Sequence, residues 1–130
     1  MSERRLFILE DDPARISYFK ETFGLLADLT IIDSCADADK FRPPYDVIFL
    51  DHDLGGRQLV EHEDCGLTFV RKVQALAEAS PCLTIIHSYN ADGAKAMQNL
   101  LPESIHAPFR GLMFNSAVDL LKRMWRLDAK

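Results

Sequence analysis

Val47-Ile48-Phe49-Leu50-Asp51-His52-Asp53-Leu54-Gly55-Gly56, residues 47–56, passes in one step from four apolar side chains to three ionisable ones. An apolar run of this length reads as a strand buried on both faces, the habit of a parallel sheet. Asp51, His52 and Asp53 at its exit are costly to bury and pack poorly, so chemistry or metal binding is the leading explanation for them. Two further segments end in the same manner. Leu6-Phe7-Ile8-Leu9 runs into Glu10-Asp11-Asp12, and Leu83-Thr84-Ile85-Ile86 runs into His87-Ser88. In an open α/β sheet the ligand crevice lies outside the carboxyl ends of the strands, which is where these three clusters are expected to meet.

Working outward, strand-like runs alternate with segments of helical spacing, five of each. This predicts an α/β fold with a parallel sheet, as a single domain over residues 1–130. Strands are predicted over 4–10, 30–35, 45–50, 82–86 and 104–107. Pro13 behind Asp12 predicts the start of the first helix, with Ile16, Phe19, Phe23 and Leu26 on one face. A short helix over 38–41 is stopped by Pro43-Pro44. Leu67, Val70, Val73, Leu76 and Ala77 mark a third helix, Asn90 caps a fourth over 91–101, and Asn115 or Ser116 caps the last. That last helix carries an apolar stripe of Val118, Leu121, Met124 and Trp125. The connection from Gly55 to Asp64 is longer than the two to six residues typical of a strand-to-helix loop, which suits a functional or mobile loop.

The 130 residues suffice to bury about two-thirds of the unfolded chain's surface. No apolar run of about 18 residues and no cleavable leader are visible, so a soluble cytoplasmic protein without membrane contact is expected. Three cysteines, Cys35, Cys65 and Cys82, lack metal-type spacing and read as reduced thiols. A net charge of −5 argues against a broad nucleic-acid surface, because such binding needs clustered Lys and Arg. It leaves room for one phosphate held at one metal ion.

The order of these features resembles the receiver domain of response regulators over essentially the whole chain. The features are an acidic tail after the first strand, LD ending the third, a hydroxyl residue after the fourth and APF after the fifth. The resemblance implies a doubly wound, flavodoxin-like sheet of five strands in the order 2-1-3-4-5. It places Glu10 and Asp11 at the acidic pair, Asp51 at the phosphoacceptor position and the carbonyl of Asp53 as a further Mg²⁺ ligand. Ser88, or His87 in the other register, falls at the receiver's Thr/Ser position. One departure stands out: receivers carry lysine just before the proline that follows the fifth strand, and here that residue is Ala107. The combination of LDHDLGG with HSYNADGAKAM is similar to the cyclic-phosphate-processing receiver family. The signature of that family maps onto His87, Ser88, Asn90, Gly93 and Met97, and its acidic element onto Asp51, His52 and Asp53. This resemblance implies processing of cyclic phosphates on nucleotides or RNA ends.

Crowded carboxylates repel unless a cation neutralises them, so Glu10, Asp11 and Asp51 are expected to hold Mg²⁺ or Mn²⁺. The alternative is Zn²⁺ or Fe²⁺ engaging His52 or His87 with the aspartates. Strand alternation turns His52 away from Asp51, a supporting position, whereas His87 is the expected general acid or base, with Ser88 and Asp53 beside it. Gly55 and Gly56 permit close backbone approach to a ligand, while Asn90 and Gly93 either cap a helix or offer amides to a phosphate. His62 and His106 read as solvent or packing residues. Two functions follow. One is a metal-dependent phosphoesterase, and the other a signalling receiver or pseudo-receiver modified at Asp51 or bound by a partner protein. The absence of lysine at position 107 weighs against the second.

Overall fold

The computed structural model describes residues 4–54 and 63–128. Among these residues the sheet is built from β1 (Arg5–Leu9), β2 (Asp28–Ile32), β3 (Val47–Leu50), β4 (Leu83–Ile86) and β5 (Ile105–His106). All neighbours pair in parallel, in the order β2-β1-β3-β4-β5, the predicted doubly wound arrangement. The helices are α1 (Pro13–Phe23), α2 (Gly66–Ala79), α3 (Ala91–Leu100) and α4 (Leu112–Asp128), with a 3-10 helix over Cys35–Lys40. None is long and apolar enough to cross a membrane.

The pleat sorts alternate residues into two cores. Phe7, Leu9, Ile48, Leu50 and Ile86 pack beneath α2, α3 and the 3-10 helix; Leu6, Ile8, Val47, Phe49 and Ile85 pack beneath α1 and α4. β3 is buried on both faces, as its unbroken apolar run requires.

Helix starts follow the capping chemistry. Asp12 accepts the amide of Arg15 with Pro13 at the first helical position, and Asn90 accepts the amide of Gly93. The short helix predicted over 38–41 is the 3-10 helix over Cys35–Lys40, and three further features differ from expectation. β2 spans Asp28–Ile32 rather than 30–35, because the Ser34 side chain turns back to cap the 3-10 helix at Ala36 and the Cys35 amide is taken by Asp64. α4 begins at Leu112 rather than after Asn115 or Ser116, since its first helical bond already runs from the Asn115 amide to the Gly111 carbonyl. Met124 is half exposed, and Phe114 takes its place in the stripe with Val118, Leu121 and Trp125. The three cysteines are free, and burial, then Asp64, pushes the Cys35 thiol up to about 11. It remains protonated at neutral pH and is a poor nucleophile.

Two glycines set how tightly the helices close on the exit of β3. A Cβ at Gly66 would strike the Asp51 carbonyl oxygen and lie 2.8 Å from the His52 Cα, and one at Gly93 would stand 2.5 Å from the His52 ring. The flexible Met97 methyl beside Gly66 can move, but the Asp51 and His52 backbone cannot step aside. Gly66→Ala is therefore expected to cost roughly 3 kcal/mol in urea unfolding, the upper end of overpacking penalties. A neutral effect would mean that the contact between α2 and β3 is looser than described.

Candidate functional site

Leu9, Leu50 and Ile86 form one cross-strand row facing α2 and α3. The next residue of each strand, Glu10, Asp51 and His87, therefore turns to the α1 and α4 side. The ladder runs on past the strand ends to fix them, with the Asp51 amide donating to the Leu9 carbonyl at 3.0 Å and the His87 amide to the Leu50 carbonyl at 2.9 Å. One ligand atom from each of these three buried side chains lies within 4.8 Å of the other two.

Glu10 is held by three donors. Its Oε1 meets Nε2 of His87 at 2.8 Å, and its Oε2 accepts the amides of Asp11 and Asp12 at 3.1 Å each. Burial alone would raise its pKa, yet the hydrogen bond from His87, the Asp12 amide and the charge of Arg15 together hold Glu10 below the usual carboxylate range. Asp51 accepts the His52 amide at 2.9 Å. Burial first, then the charge of Glu10, pushes it up from 3.8 to about 8, and Arg15 offsets part of this.

The His87 ring stands among Phe19, Phe49, Phe109 and Phe114, with centroid separations of 5.5 to 6.3 Å. Its Nδ1 has no partner among the described residues. Burial holds its pKa down against the pull of Glu10, which makes the ring neutral. With the proton on Nε2 facing Glu10, the nitrogen left free to act as a base points into phenyl rings. This geometry removes the expected role of His87 as a general acid or base in contact with ligand: it lies behind Glu10 and orients it.

An open cavity of about 360 Å³ lies over the acidic pair, lined by Glu10, Asp11, Asp12, Pro13, Arg15, Asp51, Asp53, Ser88 and Tyr89. Ser88, not His87, thus lines the space after β4. Asp11 reaches the cavity but not the tight cluster formed by Glu10, Asp51 and His87. His52 turns to the α2 and α3 side, as alternation requires, and is fully buried. Its Nδ1 meets Asp53 Oδ1 at 2.8 Å, and Asn90 donates to the same oxygen at 2.9 Å. Asp53 therefore lines the cavity with one carboxylate oxygen held from behind, and among the described residues His52 stands behind it. Asn90 and Gly93 do not line the cavity. The Gly93 amide is spent on Asn90 Oδ1 and its Cα abuts the His52 ring, so the expected phosphate contact gives way to capping and packing. His106 meets the Ser88 carbonyl at 2.7 Å. Gly55, Gly56 and His62 lie outside the described residues.

Residues 9–103 match the family described as Cyclic-phosphate processing Receiver domain. The chain belongs to this family. No curated protein matches it by sequence. Among solved structures it is similar to a CheY-like response regulator receiver domain from Methylobacillus flagellatus, at 22% identity and TM-score 0.65, covering 94% of this chain and 98% of that one. It is also similar to the phosphorylated cyanobacterial phytochrome response regulator RcpA, at 14% identity and TM-score 0.67, covering 99% and 98%. The Mn²⁺-bound form of the response regulator Rcp1 matches at 18% identity and TM-score 0.63, covering 94% of each chain. At these identities the likeness is one of fold.

Sequence reasoning missed a cavity cation in this cyclic-phosphate processing receiver domain. Arg15 stands 3.6 Å from Glu10 and 3.8 Å from Asp51, and its guanidinium lies 5.3 Å from the rings of Tyr89 and Phe109. The available signal was a cation in the first helical turn after an acidic run, where the helix dipole disfavours it.

The raised pKa of Asp51 fixes a pH dependence. Below about pH 4 both folded and unfolded chains carry its proton and no penalty arises; as pH climbs to about 8 the unfolded state alone sheds it freely, and stability falls. In chelator, Asp51→Asn is expected to stabilise the protein by a few kcal/mol at pH 8 and by much less at pH 4.5, at ~1.4 kcal/mol per unit of pKa difference. Thermal unfolding at the two pH values measures it. Equal effects at both would place the strain elsewhere.

Proposed function

We propose that the chain is a metal-dependent phosphoesterase acting on cyclic phosphates of nucleotides or RNA ends. The observation that carries the reading is the buried Glu10–Asp51 pair beneath an open cavity: two carboxylates that repel each other are retained at the strand exits, where a divalent cation would neutralise them. The family membership agrees with it.

The donor set fits Mg²⁺ or Mn²⁺. Asp51 has unspent oxygen lone pairs, Glu10 keeps one of about four after its three hydrogen bonds, and Asp11 stands at the rim. Zn²⁺ or Fe²⁺ on an imidazole would require His87 to release Glu10, and His52 faces the other side of the sheet. A bound cation supplies Lewis-acid polarisation of a phosphoryl oxygen. The residues of the chain do the rest. Asp53 takes a proton from the attacking water, because it reaches the cavity while both histidines stand behind carboxylates. The water oxygen bonds to phosphorus, one ribose oxygen–phosphorus bond breaks, and the released oxygen leaves as a hydroxyl after gaining a proton from solvent, to which Asp53 then returns the one it took. Ala107 offers no ammonium to an acyl phosphate on Asp51, which disfavours the signalling reading.

Turnover of 2′,3′-cyclic nucleotides by protein supplied with Mg²⁺ or Mn²⁺, followed by chromatography of the linear monophosphate, tests the proposal. Asp53→Asn is expected to lose roughly 10²–10⁴-fold in rate, as for a proton-transfer group. His52→Ala, which removes support alone, should lose about 10–100-fold. Absence of turnover by the wild type under every divalent cation would sink the enzyme reading. Near-stoichiometric, lasting phosphorylation of Asp51 by acetyl phosphate would restore the signalling one.

A further inference from the structure

We propose that Arg15 is the anion-receiving residue of the site, the group that binds the non-bridging phosphate oxygens of the ligand opposite the acidic pair. The inference rests on the reading of the cavity as a phosphate site and adds to it the residue that meets the charge. Among the described residues lining the cavity, Arg15 is the one cation, against Glu10, Asp11, Asp12, Asp51 and Asp53. An anionic ligand cannot approach that wall without a countercharge, and position 107 contributes none.

The guanidinium is placed but not spent. Its Nη1 stands at 3.6 and 3.8 Å from the two buried carboxylates, near enough for attraction and too far for hydrogen bonds, and no side-chain hydrogen bond of Arg15 is formed among the described residues. Five N–H donors in a planar fork, which matches phosphate geometry, are therefore available at the cavity wall. Their position is built. The Arg15 amide is fixed by the Asp12 cap, the guanidinium lies over Tyr89 and Phe109, and the Tyr89 hydroxyl donates to the Phe109 carbonyl, tying the two rings together. A positive charge in the first turn of α1 works against the helix dipole, so helix stability alone does not account for it. Without a bound cation Arg15 partly neutralises Glu10 and Asp51. With one bound, that duty lapses and the fork is free to take the anion.

The test measures two affinities on the full chain: Mn²⁺ for the metal-free protein, by electron paramagnetic resonance, and inorganic phosphate for the Mn²⁺-loaded protein, by calorimetry. Arg15→Ala is expected to bind Mn²⁺ at least as tightly as wild type, since a competing cation is gone. Its phosphate affinity should fall on the order of tenfold or more, the size of a lost charge-assisted hydrogen bond. Arg15→Lys should recover part of the loss, as a charge without the fork. Unchanged phosphate affinity in Arg15→Ala with Mn²⁺ binding intact overturns the role of Arg15 and leaves the metal site standing. Loss of Mn²⁺ binding in Arg15→Ala overturns it too, because Arg15 would then be a support of the acidic pair. Failure of the wild type to bind Mn²⁺ or phosphate overturns both this inference and the reading on which it rests.

Discussion

The register of β1, β3 and β4 is the constraint on which the site depends. Leu9, Leu50 and Ile86 are partners across the sheet, so the residues after them share a row and a face whatever their chemistry. A slip of one residue in any of these strands would send its polar group to the α2 and α3 side and break the cluster. The apolar alternation of the two cores therefore does more than hold the fold: it aligns Glu10, Asp51 and His87. What burial of that row costs is offset by specific partners, three donors on Glu10 and the aromatic box around a neutral His87. The Asp51 carboxylate remains under-compensated, which is why it retains a proton into the neutral range.

His87 and Ala107 make sense as a pair. Both belong to the end of the sheet that faces α1 and α4, and the Ala107 amide bonds to the Ile86 carbonyl directly before His87. Relative to the receiver pattern, the lysine before the proline is absent, and a buried imidazole stands in the row of Glu10 and Asp51. The difference alters electrostatics, because an ammonium is missing while the ring donates one hydrogen bond to Glu10 and carries no charge.

Much of this was legible in the chain itself. Runs such as Val47-Ile48-Phe49-Leu50 announce buried parallel strands because nothing else tolerates four apolar neighbours followed by three charges. Strand alternation alone placed His52 opposite Asp51. What the sequence hid was long-range. Arg15 is one arginine among several until α1 is laid beside the exits of β1 and β3, and periodicity carries no information on that approach. Nor could it tell that the tip of β4 is roofed by four phenylalanines from different elements, so that His87 would be sealed off while Ser88 reached the cavity. The misjudged end of β2 has a local cause: Ser34 prefers to cap its own following turn, and β-propensity cannot foresee that competition.

The two glycines that close over His52 have a consequence for how the site can move. On that side the imidazole occupies the room a methyl group at position 93 would need, and α2 rests directly on backbone at position 66. Asp53 and Asn90 hang from this wall, which has no free volume to give. The opposite wall is a single long side chain lying between two aromatic rings, joined to its carboxylates by attraction without hydrogen bonds. The cavity thus has one wall of tightly packed backbone and ring and one formed by a lone side chain held against two rings. A larger ligand would meet least resistance on the arginine side, where attraction without hydrogen bonds holds the wall, while the carboxylate on the other side keeps its aim.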